Sequence, residues 1–178
     1  MSRPDYALLR KYALQFAEQD AAARIPPVPV RLTEIDSTAL RAWSSTWEGH
    51  HWSGYGGMDW IRIWHRLGRQ EQRNFHCALW HESLLCGLLI GTVPRGHSHL
   101  TIRIIEARPQ GHPLKGHVAR IALSAAEVYA DALALPEVRL ENPAPALEHW
   151  YRGLGFTLAY REGVVRYLAM RLPSDRSL

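Results

Sequence analysis

The stretch from Glu106 to Leu135 constrains this chain more than any other, because it changes character twice within thirty positions. It begins where a strand pattern ends and runs through a basic loop punctuated by Pro109, Gly111, Pro113 and Gly116. It then becomes a helix whose apolar stripe is Val118, Ile121, Ala122, Ala125, Val128 and Ala132. A loop that opens straight into a helix leaves the first N–H groups of that helix without intrahelical partners. The helix dipole points its positive end the same way, so the turn is suited to an anion. Arg108, Lys115 and Arg120 add positive charge, and phosphate or pyrophosphate is the natural guest. An ordinary strand-to-helix crossover with a solvated basic turn is the alternative reading of the same residues.

A chain of 178 residues has enough length for one domain with a proper core. The net charge of +4 is compatible with an anionic ligand such as a nucleotide cofactor, but no long Lys/Arg run points to nucleic acid. Cys77 and Cys86 are too few for a disulfide-built fold, and reduced, buried thiols are expected. The opening M-S-R-P-D-Y lacks the apolar core of a secretory leader, and the longest apolar run, Leu84 to Val93, is too short to span a bilayer. A cytoplasmic location and no membrane partner are expected.

Residues Asp5 to Arg24 read as an amphipathic helix with Leu8, Leu9, Tyr12, Ala13 and Phe16 on one face, stopped by Pro26 and Pro27. Residues 1–27 are taken as an N-terminal helical extension and 28–178 as the main domain. A strand over Val28–Leu32 and a helix from an Asp36 N-cap to about Trp47 follow. The segment Trp47–Trp64 mixes aromatics, histidines and glycines. It suits a pocket wall, or a loop pinned to the core by its tryptophans, and a helix over Met58–Leu67 closes it. His50 and His51 are adjacent, point in different directions and lack further ligands, so no metal is expected.

Strand patterns over Phe75–Trp80, Leu84–Val93 and Leu100–Glu106 form a meander. A two-residue turn at His81–Glu82 would place Cys77 opposite Cys86. After the organising stretch, Glu137–Glu141 is a strand that returns parallel to its neighbour. A helix over Ala144–Arg152 and a hairpin from Phe156 to Arg171 close the chain. The expected fold class is α/β (α+β): a mixed, mostly antiparallel sheet of about six or seven strands flanked by helices.

This order, and above all V-R-L-E-N-P-A-P-A-L-E-H-W-Y-R-G-L-G-F at residues 138 to 156, resembles the GNAT superfamily of acyl-CoA-dependent N-acetyltransferases. The resemblance implies a splayed central strand pair, acetyl-CoA as co-substrate, and direct attack by a primary amine. It places the cofactor on Ala107, Arg108, Lys115, Gly116, His117, Val118, Ala119 and Asn142. It makes Tyr151 the acid that meets the departing thiolate; Glu106, at the strand end beside the gap, is the first candidate for the base, with a surface ion pair to Arg108 as the alternative. A backbone N–H near Glu106–Arg108 would polarise the thioester carbonyl. Only the first glycine of the family's pyrophosphate loop is present, at Gly116. Val118 stands where backbone and phosphate must meet, and a β-branched side chain there is expected to crowd the ligand. A small-molecule or peptide amine acceptor and a homodimer are expected. A catalytically impaired binding module, or an enzyme acting on a protein or aminoacyl-RNA amine, is the alternative.

Overall fold

The computed structural model describes residues 4–24, 28–47, 58–68 and 71–173. Residues 48–57, which include His50, His51 and most of the aromatic and glycine-rich stretch, lie outside the described residues, as do Pro26 and Pro27.

Five α-helices and seven strands are described. They are α1 (Tyr6–Arg24), β1 (Arg31–Thr33), α2 (Ser37–Thr46), α3 (Trp60–Ile63), β2 (Phe75–His81), β3 (Leu84–Thr92), β4 (Leu100–Ala107), α4 (Val118–Ala132), β5 (Glu137–Glu141), α5 (Glu148–Gly153), β6 (Leu158–Glu162) and β7 (Val165–Arg171). The strands form one mixed sheet in the order β1-β2-β3-β4-β5-β7-β6. Only β4 and β5 run parallel.

Each face of the sheet has its own core. Helices α1 and α4 cover one face, where Leu89, Leu100, Ile102, Ile121, Ala125 and Tyr129 are buried. Helices α2 and α3 cover the other, where Trp43, Trp60, Leu88 and Ile90 are buried. Asp36 caps α2 by accepting a 2.9 Å hydrogen bond from Ala39 N–H.

Helix α1 buries a different face from the one its hydrophobicity suggests. Leu8, Tyr12 and Phe16 are exposed, while Tyr6, Arg10, Ala13, Leu14, Ala17 and Ala21 are buried. The Ala13–Ala17–Ala21 ridge lets α1 come close to the equally small Ala122, Ala125 and Ala126 of α4, so side-chain size decides the contact. Arg10 tolerates burial because its guanidinium donates to Glu34 and to the carbonyls of Gln72 and Asn74. Residues in the 1–27 segment therefore belong to the same core as the sheet.

The first hairpin turns on Glu82 and Ser83, with Glu82 at φ 52° and His81 paired with Leu84. One extra residue on β3, Cys86, forms a bulge. Together these shifts put Cys77 opposite Leu89, so the expected Cys77–Cys86 pairing is wrong. Both thiols are free and buried. Helix α3 is shorter than the predicted Met58–Leu67 helix; after Ile63 the chain continues as a wider π-type turn over Trp64–Gly68.

Candidate active site

The parallel pairing of β4 with β5 lasts for three rungs, Leu100–Val138, Thr101–Arg139 and Ile102–Leu140. Beyond Leu140, β5 has one more residue, whereas β4 continues for five. The sheet therefore opens into a cleft along Arg103–Ala107. At its apex the Arg103 guanidinium meets the Glu141 carboxylate at 2.7 Å.

A bulge at Arg103 decides which side chains face which side of this cleft. Ile90 pairs with Ile104 but Gly91 pairs with Ile102, so Arg103 is an unpaired extra residue. Leu100 and Ile102 lie in the α1/α4 core, Ile104 packs on the α2/α3 side, and Ile105 and Ala107 return to the α1/α4 side. Regular alternation would have placed Glu106 with Leu100; the bulge turns it to the opposite face.

The same ladder sorts the backbone donors. Arg108 N–H donates to Cys86 O at 2.9 Å, so the antiparallel alternation points the N–H groups of Ile104, Glu106 and Arg108 toward β3. The N–H groups of Ile105 and Ala107 point into the cleft and have no acceptor among the described residues. Ala107, within the expected Glu106–Arg108 span, is thus an open donor, while Arg108 is committed. The Arg108 side chain is occupied as well, donating to Thr46 Oγ1 at 2.9 Å and Gln110 Oε1 at 2.7 Å.

The loop after β4 is pinned from inside. Leu114 is fully buried and Val118 is 3% exposed. A Cβ on Gly87 of β3 would lie 2.3 Å from Val118 Cγ1, so the valine occupies the space that this glycine leaves free. Between these anchors the chain turns outward through Gly116 at φ +83°. Lys115 and Gly116 are exposed, and His117 N–H closes a turn onto Leu114 O at 3.0 Å. Ile121 N–H bonds back to His117 O at 3.0 Å, whereas the N–H groups of Val118, Ala119 and Arg120 find no acceptor among the described residues. The expected crowding by Val118 does not occur, because its isopropyl group faces the sheet and leaves the helix end clear. The residues therefore fit a phosphate, through open N–H groups, a nearby Lys115 and an exposed Arg120.

Glu106, beside Ala107 but turned to the opposite face of the sheet from α4, is half-buried. Its carboxylate accepts from the Trp60 indole N–H and from Met58 N–H. Burial raises its pKa above the ordinary carboxylate value, and those two hydrogen bonds work against the rise. Trp60 is fully buried at the first turn of α3, below the Asp59 cap. No periodicity in the sequence marks Trp60 or Met58 as partners of Glu106; the nearest signal is the Asp59–Trp60 helix start.

Tyr151 sits on α5, 8% exposed and packed edge-on against Trp150 and Phe156. The Leu154–Gly155–Phe156 turn places it. Gly155 N–H bonds to Arg152 O at 3.0 Å and Phe156 N–H to Tyr151 O at 3.2 Å, with Gly155 at φ +103°. This is a Schellman end, which needs glycine at the left-handed position. Burial raises the Tyr151 pKa, and its hydroxyl has no hydrogen-bond partner among the described residues. The phenol therefore holds its proton at neutral pH.

Asn142, at φ 44°, extends the β5–β7 ladder. Its N–H donates to Arg166 O at 2.7 Å and its Oδ1 accepts from Arg166 N–H at 3.0 Å. Of its side-chain atoms, Nδ2 is left for another partner. No cluster of metal-ligating side chains occurs among the described residues. No described helix is long and apolar enough to cross a membrane.

Neither a protein-family model nor a curated protein matches the chain. Solved structures do match. The ribosomal-protein-S18-alanine N-acetyltransferase of Escherichia coli superposes with a TM-score of 0.59 at 14% identity, over 84% of this chain and 99% of that one. The PaiA N-acetyltransferase of Thermoplasma acidophilum, in complex with coenzyme A, gives 0.56 at 12% identity, over 80% and 99%. The spermidine/spermine N-acetyltransferase SpeG of Vibrio cholerae gives 0.56 at 15% identity, over 80% and 92%. A seven-stranded mixed sheet that splays between its fourth and fifth strands, matched over four-fifths of its length by N-acetyltransferases, has the fold of the GNAT superfamily.

Proposed function

We propose that this protein is an N-acetyltransferase that moves the acetyl group of acetyl-CoA to the primary amine of a small molecule or peptide. The observation that carries the reading is the cleft itself. Its wall bears two open backbone donors, on Ile105 and Ala107, and beside them lie Glu106 on one face of the sheet and the N-terminus of α4 on the other. The coenzyme A complex of a fold relative supports the co-substrate.

Acetyl-CoA supplies an acetyl group already activated as a thioester. The α4 N–H groups and Lys115 bind its phosphates, and Asn142 Nδ2 is free to hold the arm. Ala107 N–H stabilises negative charge as it develops on the carbonyl oxygen. Glu106, ionised above its raised pKa, accepts the proton of the incoming ammonium. The amine nitrogen bonds to the carbonyl carbon as the C–S bond breaks; Tyr151, which keeps its proton at neutral pH, delivers it to the leaving sulfur, and the second proton shed by the nitrogen restores the phenol.

Calorimetric titration with acetyl-CoA, followed by an acceptor screen read by thiol release, tests the reading. Binding that survives in Tyr151→Phe, together with a kcat lower by about 10²-fold or more, is the expected outcome. No heat and no thermal shift with acetyl-CoA would overturn the assignment.

A further inference from the structure

Glu106, on the cleft strand β4, is held from a second element, the start of α3. Its carboxylate receives the Trp60 indole N–H and the Met58 backbone N–H, both from the start of α3. Its other neighbours named among the described residues are apolar. Leu88 lies opposite it on β3, Ile104 precedes it on the same face, and Trp43 and Ile90 complete the cluster. Among the described residues no charged side chain acts on it, so its rotamer and ionisation are governed by burial and these two donors. Trp60 itself has little freedom. It is fully buried, and its helix start is fixed by Asp59, which accepts from Arg62 N–H at 2.9 Å.

We propose that Trp60 is a positioning residue for the acetyl transfer, whose indole N–H, donated to Glu106 Oε2, fixes the carboxylate in the one rotamer that meets the acceptor ammonium. This rests on the reading of Glu106 as the base. A carboxylate at the end of a flexible side chain, in an apolar wall, would otherwise sample several rotamers and favour its neutral form. A hydrogen bond from a rigid, buried donor selects one rotamer and favours the ionised form. The bulge at Arg103 is needed for this arrangement, because it turns Glu106 toward α3.

The test is a carbon NMR titration of the Glu106 carboxyl group in the intact protein and in Trp60→Phe, alongside the pH profile of kcat/KM. In Trp60→Phe the midpoint should rise by about one pH unit, a tenfold change in the ionisation constant, and the acid limb of kcat/KM should move with it. A Glu106 midpoint that stays in place in folded Trp60→Phe overturns the proposal, because a merely structural tryptophan would leave it there. Should Trp60→Phe not fold, the parent protein still decides. The Trp60 indole N–H resonance should shift as Glu106 titrates and lose that titration in Glu106→Gln; a resonance that does not titrate in the parent refutes the hydrogen bond's role. No acetyl transfer at any pH removes the base and its positioning partner together. Normal transfer with an unmoved midpoint removes only the role of Trp60.

Discussion

On one side of the Ile102–Leu140 rung the sheet is buried on both faces; on the other it is buried on one. In β2 and β3 nearly every residue is buried, alternately under α1/α4 and under α2/α3. In β5 and β7, Val138, Leu140 and Leu168 are buried in the α1/α4 core, and Met170 packs against it half-buried. Their reverse face carries Glu137, Arg139, Glu141 and Tyr167, with Tyr160 and Glu162 added by β6. Arg139 links this face, pairing with Glu137 at 2.5 Å and Glu162 at 3.1 Å, and lying 5.1 Å over Tyr160 and 5.8 Å over Tyr167. The cleft lies where the two regimes meet. Glu106 comes from the doubly covered half and Tyr151 from α5, which connects β5 to β6 in the singly covered half, so the proposed base and acid stand on separate supports.

The sharpest way to break this contrast is to remove one apolar side chain from each half. Leu89→Ala should cost about 2–5 kcal/mol, since Leu89 is fully buried between β2, β4 and α4. Val165→Ala, at the half-buried start of β7, should cost roughly a third of that or less. Chemical denaturation measures both, and equal losses would mean the halves are equally supported.

Acid should act through the doubly covered half. His76 on β2 is buried, its Nδ1 accepts from Ile35 N–H at 3.1 Å, and Trp64 packs edge-on against its ring. Burial, helped by the nearby Arg10 charge, pushes its pKa from 6.5 down to about 3. The native state thus refuses a proton that the unfolded chain accepts below pH 6.5. Stability from this group is complete above pH 6.5 and lost as pH falls toward 3, on the order of 3 kcal/mol by pH 4. Glu127 on α4 runs the other way: burial raises its pKa to about 7, so it costs stability as pH rises from 4.5 toward 7. Comparing the pH dependence of the parent with His76→Gln isolates the histidine, and identical slopes below pH 6.5 would count against its buried neutral form.

The loop that opens α4 can be tested through its anchor. Gly87→Ala should cost about 1–3 kcal/mol, because its Cβ meets Val118 Cγ1 at 2.3 Å. It should also weaken acetyl-CoA binding by displacing the helix end. Adding Val118→Ala should recover most of the stability, and a double-mutant cycle measures the coupling. Additive losses would separate the glycine from the valine.

Much of this architecture was legible in the sequence. The strand at Glu137–Glu141 has the predicted bounds, because its alternation of apolar and polar residues matches its one buried face. The Leu–Gly–Phe turn was legible because only glycine suits Gly155 and only a large apolar residue fills the site of Phe156. The bulges at Cys86 and Arg103 were not legible. An inserted residue shifts register without changing composition, so Glu106 could be placed at the strand end but not on a face. The buried face of α1 was misread because alanine ridges and a satisfied Arg10 do not register as hydrophobic. The side chain of Val118 was read as crowding the ligand because sequence alone does not reveal that Gly87 stands opposite it.

The smallest expected effect probes the open face. Arg139 holds two carboxylates and lies over two tyrosine rings, yet the network it organises has water on one side. Its 3.1 Å partner Glu162 is 57% exposed at the side chain, and ion pairs so placed contribute little once solvent screens them. The Arg139 guanidinium also lies over the rings of the stacked Tyr160–Tyr167 pair, whose centroids are 5.4 Å apart. Arg139→Met keeps an unbranched side chain of similar reach and removes the charge, so it should change stability by less than about 1 kcal/mol. The residual loss should not shrink in high salt, because the pairs that salt would screen are already gone, whereas the small charge contribution of the parent should shrink. A loss of several kcal/mol in Arg139→Met would mean that the singly covered half is held by its ion pairs after all, and the difference between the two halves would then be one of chemistry and not of strength.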